Sequence, residues 1–74
     1  MKIYFIKLNN IKYKQYKSYE KSYEDFEKII INFPNSIVEI GLEEYCEFGH
    51  LESCCNIYNL CKYENGTISN IDKL

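Results

Sequence analysis

Residues 18–34, SYEKSYEDFEKIIINFP, decide the fold of this chain, because they combine a helix start, a helix stop and a sustained apolar stripe. Ser18 can accept a hydrogen bond from a backbone N–H of the first turn. Glu20 follows where the helix dipole favours a negative charge. Pro34 cannot continue a helix. We therefore predict a helix over about 19–32.

One side of this helix is apolar and largely aromatic. Spacings of three and four positions keep its members on one side of a helix with 3.6 residues per turn. They are Tyr19, Tyr23, Phe26, Ile30 and Phe33. Ser22 and Ile29 lie on the flank of this stripe, and Ile31 lies more than a quarter turn away from it. Because such a stripe needs a second layer to cover it, we expect it to pack on a sheet.

Two strands are predicted before the helix. Residues 1–8 carry apolar side chains at both alternating sets of positions, as an internal strand does. The Asn pair at 9–10 tolerates left-handed geometry and can form a two-residue turn into a second strand over 11–17. That turn would place Lys7 opposite Lys12, and their repulsion favours a shifted register or a partly irregular segment.

Beyond Pro34 the helical period gives way to alternation. Residues 37–45 alternate between apolar side chains and a second face that carries Glu39 and Glu43, as a half-buried strand does. Residues 46–53 show no regular pattern, and we expect a loop or a short helix there.

The last third of the chain is predicted to form a hairpin. Asn65 and Gly66 separate two runs of strand-forming residues, 54–63 and 67–71, and Asn-Gly is a strong signal for a tight turn. In a competing interpretation, this segment is a helix that ends at Gly66, and its apolar stripe is formed by Leu51, Cys54, Cys55 and Tyr58. We favour the hairpin, because β-branched and aromatic residues are frequent here.

Together these segments predict one domain over 1–74, in the order β-β-α-β-β-β. One helix packs on a small, mostly antiparallel sheet, which is a two-layer α+β fold. A chain of 74 residues buries only about 60% of the surface that it exposes when unfolded. A deep catalytic cleft is hard to build beside so small a core.

Charge and composition are both uneven. Residues 1–17 carry five lysines and no acid, whereas 29–61 carry five glutamates and neither lysine nor arginine. Such asymmetry is compatible with an electrostatic partner, but two elements whose solvated faces carry opposite charge explain it more simply. Residues with A- and T-rich codons dominate, and Ala, Arg and Trp are missing. We therefore expect a source with a low-GC genome, such as a bacterium or its phage.

The start of the chain, MKIYFIKLNN, lacks the features of a secretory signal. Its apolar run is short and no small-residue cleavage site follows it, and no segment approaches the length of a membrane span. We therefore expect a cytoplasmic protein, with its four cysteines as thiols or metal ligands more than as disulfides.

The acidic segment indicates a protein-binding function. Carboxylates on a strand and beyond it can complement a basic groove, and tyrosine is enriched at protein interfaces. The residues that we predict to bind a partner are Glu39, Glu43, Glu44, Tyr45, Glu47 and Glu52. On this hypothesis the chain is an inhibitor, of the anti-defence type made by phages or mobile elements. It would act as a nucleic-acid mimic that blocks the nucleic-acid-binding groove of a larger protein or nucleoprotein complex.

An alternative hypothesis is a small domain stabilised by structural zinc. Cysteine and histidine are the usual ligands of such a site, and the candidates are Cys46, His50, Cys54 and Cys61. This domain would bind nucleic acid through its Lys- and Tyr-rich amino-terminal region. Against it, the chain has no Cys-x₂-Cys, and Gly49 disfavours the helix that would align three of the ligands.

No residue pattern indicates catalysis. One histidine and four cysteines are present, but no cysteine lies in a Gly-rich or nucleophile-elbow context. We therefore expect a protein that is not an enzyme and has no cofactor. On the inhibitor hypothesis we also expect no membrane partner and no direct binding of nucleic acid. A monomer and a homodimer joined through an open sheet edge are both compatible with the sequence.

Overall fold

The structure is a computed structural model that describes the backbone of residues 1–48 and 51–70, and the side chains of 1–46 and 56–70. The chain folds as one helix packed on a five-stranded antiparallel sheet with the strand order β2-β1-β3-β4-β5. The elements are β1 (Lys2–Leu8), β2 (Ile11–Tyr16), α1 (Tyr19–Asn32), β3 (Val38–Phe48), β4 (Leu51–Glu64) and β5 (Thr67–Asn70). The predicted α+β fold and its element order are confirmed.

The helix begins and ends where the sequence predicts. The Ser18 hydroxyl accepts a hydrogen bond from the backbone N–H of Lys21 at 3.3 Å, which caps the first turn. At the other end, the N–H of Phe33 donates to the carbonyl of Ile29 at 2.8 Å, and Pro34 then prevents continuation.

The buried face of α1 is rotated from the predicted stripe. Its centre is formed by Ser22, Phe26 and Ile29, which are all buried, whereas Tyr19 and Phe33 remain 37% and 47% exposed. The physical reason is the position of the helix, which packs on β3, β1 and β2. The flank of the stripe that faces β4 is therefore only partly covered.

The β1–β2 hairpin keeps the unfavourable lysine pair. Asn9 and Asn10 have φ of 53° and 69°, as the predicted two-residue turn requires. Lys7 stays opposite Lys12, and the register shifts only beyond this pair, so that Tyr13 forms a bulge. The predicted shift or irregular segment therefore does not separate the two lysines.

The expectation of a loop or short helix over 46–53 is wrong for the residues described there. β3 continues to Phe48 and β4 begins at Leu51, with the two strands paired throughout. The hairpin after β4 is confirmed, since Asn65 and Gly66 have φ of 53° and 78°. The last residue of the predicted strand, Ile71, lies outside the described residues.

The two faces of the sheet differ in what covers them. The face under α1 contains the core, formed by Ile6, Phe26, Ile29, Val38, Ile40, Cys61 and Tyr63. We call the opposite side the open face. On the open face, Phe5 is nevertheless only 1% exposed, because its ring lies across Gly41 on β3. A glycine is needed there, since a Cβ at Gly41 would lie 2.2 Å from Cζ of Phe5.

Replacement of this glycine tests the contact. We expect Gly41→Ala to lower the free energy of unfolding by about 1–3 kcal/mol, because the ring must leave its position on the strand. Urea denaturation measures the loss. The loss should be smaller in a Phe5→Leu background, where no ring meets the added methyl group. Equal losses in the two backgrounds would contradict the proposed clash.

Candidate protein-binding surface

The β3–β4 hairpin projects beyond the rest of the sheet. β1 pairs with β3 only as far as Glu44, with Met1 and Tyr45 adding two backbone bonds of 2.7 and 3.0 Å. β5 pairs with β4 only from Cys61 onward. Residues 45–48 and 51–54 therefore continue as a two-stranded extension, which we call the ribbon. The molecule is accordingly elongated, with extents of 44 × 23 × 21 Å.

The predicted acidic residues do not share one face. Glu39, Glu43 and Tyr45 alternate along β3 on the open face, whereas Glu44 lies on the helix side. In the ribbon, the backbone register places Glu47 opposite Glu52. The side chains of these two residues lie outside the described residues.

The carboxylate of Glu43 is buried, and an ion pair with Lys12 balances its charge. It is 6% exposed, its Oε2 lies 2.8 Å from Nζ of Lys12, and its Oε1 accepts a hydrogen bond from the Tyr45 hydroxyl at 3.4 Å. The ammonium of Lys12 also lies 4.8 Å from the centroid of the Phe5 ring, within the range of a cation–π interaction. Glu43 therefore holds the cation that covers Phe5, so it supports the open face from within.

Glu44 and Glu39 also lie beside polar or basic residues of the neighbouring strands. The carboxylate of Glu44 accepts a hydrogen bond from the Tyr58 hydroxyl at 3.0 Å. In the register, Glu39 lies between Lys7 on β1 and Lys62 on β4, and directly opposite charges of opposite sign attract. Near the sheet centre, the acids of β3 thus lie beside lysines or a tyrosine hydroxyl of the neighbouring strands.

The ribbon differs from the sheet centre in this respect. The strands that flank Glu47 and Glu52 place no lysine opposite either residue in the described register. The nearest lysines along the sequence are Lys28 and Lys62, at a distance of ten residues or more from both. The backbone register of the ribbon therefore brings two glutamates opposite each other.

The cysteines do not form the predicted metal site. Cys46 is disulfide-bonded, so the expectation of thiols or metal ligands is wrong for this residue. Cys61 is a free thiol in the core, paired with Ile40, and burial raises its pKa. Ile40 and Cys46 are six positions apart on β3, or about 20 Å. Cys46 and Cys61 therefore cannot share one metal ion, and the proposed set of four ligands is wrong.

The remaining members of that set lie outside the described part of the chain, namely His50 entirely and the side chain of Cys54. Within the part whose side chains are described, no three His, Cys, Asp or Glu residues are arranged to hold a metal ion. The disulfide of Cys46 instead provides a covalent constraint in the ribbon, where an isolated pair of strands is only marginally stable.

The Lys- and Tyr-rich amino-terminal region is divided between the two faces. Lys12 lies on the open face, whereas Lys14 and Tyr16 face α1. There the Tyr16 hydroxyl donates to Oδ2 of Asp25 at 2.7 Å, and Nζ of Lys14 lies 3.6 Å from the same oxygen. A shallow cavity of about 330 Å³ lies above this cluster, lined by Lys14, Tyr16, Lys21, Glu24, Asp25 and Lys28.

This cluster shifts the ionisation of two residues. The hydrogen bond from Tyr16, together with Lys14, lowers the pKa of Asp25 below its ordinary value of 3.8, against a smaller effect of burial. Burial, followed by the bond to Asp25, raises the pKa of Tyr16 far above its ordinary value of 10.0. The pair is therefore most stable with a charged carboxylate and a neutral phenol.

Sequence reasoning missed the arrangement on the open face. It treated Lys12 as a source of repulsion, although this residue pairs with Glu43 and covers Phe5. A usable signal was the alternation of 1–8, which already placed Phe5 and Lys7 on one face. The position of Gly41 beneath the ring required the register between β1 and β3.

Comparison of the chain with models of known families, with curated proteins and with solved structures found no match. Over the described residues, no helix has the length and apolar character to cross a membrane. The geometry of the ribbon and of the two sheet faces is therefore the basis for a functional assignment.

The Lys12–Glu43 pair can be tested by removing its cation. We expect Lys12→Met to lower the free energy of unfolding by about 1–3 kcal/mol, because the buried carboxylate loses its partner. Chemical denaturation at neutral pH measures this change in the free energy of unfolding. Lys14→Met is the matched control, since its pair with Asp25 is more exposed to solvent and should contribute less to stability. Equal effects of the two substitutions would contradict the special role of Lys12.

The Tyr16–Asp25 pair predicts a pH dependence with two limbs. Since the folded pKa of Asp25 is lowered, its contribution to stability is lost as pH falls through that pKa. Since the folded pKa of Tyr16 is raised, its contribution is lost as pH rises above 10.0, the ordinary value. Tyr16→Phe should flatten both limbs in urea midpoints measured against pH. Tyr13→Phe, at an exposed position, should change the profile much less, because Tyr13 is the smallest of the causes that raise the pKa of Tyr16.

Proposed function

We propose that this chain is a non-enzymatic protein-binding module that inhibits a larger protein by inserting its acidic ribbon into a basic, nucleic-acid-binding groove. The observation that carries the proposal is the ribbon itself, a two-stranded extension whose glutamates have no lysine opposite them in the described register. The residues assigned to partner binding are Glu44, Tyr45, Glu47 and Glu52, with Glu39 at the base.

The dimensions of the ribbon support this assignment. Two paired strands lie about 5 Å apart, and with side chains they form a narrow rod that a groove can admit. A groove that binds nucleic acid presents lysine and arginine to successive phosphates. A row of carboxylates complements the same cations and speeds association with the groove.

Constraint of the ribbon also supports the proposal. Cys46, near the base of the ribbon, is disulfide-bonded, and the two backbone bonds between Met1 and Tyr45 hold the same end. A surface that is ordered before binding loses less conformational entropy when a partner is bound. Glu43 is not assigned to partner binding, because its carboxylate already contacts Lys12 and the Tyr45 hydroxyl. Its side chain instead supports the neighbouring binding residues.

The source and setting are part of the same proposal. A composition rich in A- and T-coded residues, together with a length of 74 residues, supports an inhibitor from a phage or mobile element of a low-GC bacterium. Its target would be a nucleoprotein complex of host defence, in which a basic groove is essential for activity.

A charge-neutralisation experiment tests the proposal. The triple variant Glu44→Gln, Glu47→Gln, Glu52→Gln and the wild type are immobilised and exposed to lysate of a low-GC bacterium. Retained proteins are identified by mass spectrometry, and duplex DNA or RNA is then added as a competitor. We expect the wild type to retain a nucleic-acid-binding protein that the competitor releases, and the triple variant to lose at least about tenfold in retention.

A matched control separates the ribbon from general acidity. Glu20→Gln, Glu24→Gln, Glu27→Gln removes the same charge from exposed positions of α1 and should retain the partner as the wild type does. The proposal would be contradicted if the ribbon variant retained the partner as the wild type does. It would also be contradicted if neither duplex DNA nor RNA released the partner from the wild type. Direct binding of the wild type to the added nucleic acid would favour the basic amino-terminal region instead.

A further inference from the structure

The two edges of the sheet are protected to different degrees. β2, at one edge, carries Lys12 and Lys14 and is interrupted by the bulge at Tyr13, features that oppose pairing with another strand. β5, at the other edge, is Thr67–Asn70 with the sequence TISN, and all four residues are exposed. It has neither a charge nor a proline, and its register with β4 is regular.

The turn before β5 determines which backbone groups are free. Asn65 and Gly66, both with positive φ, form a two-residue turn, so the flanking residues Glu64 and Thr67 form a hydrogen-bonded pair. The direction of backbone groups alternates along a strand. The N–H and C=O groups of Ile68 and Asn70 therefore point away from β4, toward the open edge.

We propose that this chain forms a homodimer in which β5 pairs antiparallel with β5 of a second copy, around a twofold axis at Ser69. In this register, Ile68 of each copy lies opposite Asn70 of the other. The outward groups of these residues then form four backbone hydrogen bonds across the axis. The two five-stranded sheets become one sheet of ten strands.

Two further features favour a second copy as the occupant. The outward groups are equal in number on either side of Ser69, so an identical strand satisfies all of them. Self-pairing of β5 also brings no like charges together, whereas self-pairing of β2 would oppose lysines. The same contact would cover Ile68, which is 47% exposed although it lies on the helix side, opposite Tyr63.

The dimer is independent of the proposed inhibitory function. β5 pairs with the carboxyl-terminal end of β4, whereas the ribbon is at the opposite end of that strand. A twofold axis perpendicular to the sheet would direct the two ribbons in opposite directions. Loss of the dimer should therefore leave each ribbon accessible.

Charge exchange at Ser69 tests the axis. In the proposed register, Ser69 lies opposite its own copy in a non-hydrogen-bonded pair, where Cα atoms are only about 4.5 Å apart. Ser69→Lys alone and Ser69→Glu alone should each weaken dimerisation roughly fivefold, because like charges meet at the axis. An equimolar mixture of the two variants should restore dimerisation, because opposite charges then meet.

Sedimentation equilibrium at concentrations up to about 1 mM measures the association constants. Circular dichroism verifies that each variant is folded. Gln15→Lys, at an exposed position on β2, is the matched control and should leave dimerisation unchanged. A wild type that stays monomeric, larger open-ended species, weakening by Gln15→Lys, or a mixture that regains nothing would each overturn the proposal.

Discussion

A single helix must cover a sheet that is wider and longer than itself, and most features of this molecule follow from that constraint. α1 has 14 residues, so it is about 21 Å long and about 10 Å wide. Five strands span about 19 Å between the outer strands, and β4 alone has 14 residues, or about 43 Å. The helix therefore covers β1 and β3 best, and the open face, the β5 edge and the ribbon lie beyond its reach.

The open face is protected by side chains in place of a second helix. Phe5 lies flat on Gly41, and the ammonium of Lys12 covers the ring while Glu43 holds that ammonium. The contacts depend on one another. The ring fits only above a glycine, the carboxylate of Glu43 holds the lysine over the ring, and the buried carboxylate needs that cation to balance its charge. This small cluster buries an aromatic side chain without a second layer.

The ribbon extends beyond the strands that flank it, and its backbone register places Glu47 opposite Glu52. A pair of strands without further layers is only marginally stable, and the described constraints on the ribbon are its strand pairing and the contact of Tyr45 with Met1. A segment of this kind is costly to maintain for stability alone. This is the physical reason for assigning partner binding to the ribbon while the helix and sheet serve as its support.

The sequence by itself determined the elements whose signals are local. The Ser18 cap, the Pro34 stop and the paired Asn9–Asn10 and Asn65–Gly66 turns predicted the helix, both hairpins and the α+β class, because each depends on neighbouring residues. Tertiary structure alone decided which side of the apolar stripe is buried, where β3 ends, and that Cys46 forms a disulfide. It also converted Glu43 from a predicted binding residue into the buried partner of Lys12. These outcomes depend on the register between strands distant in sequence, and residue order carries no direct signal of that register.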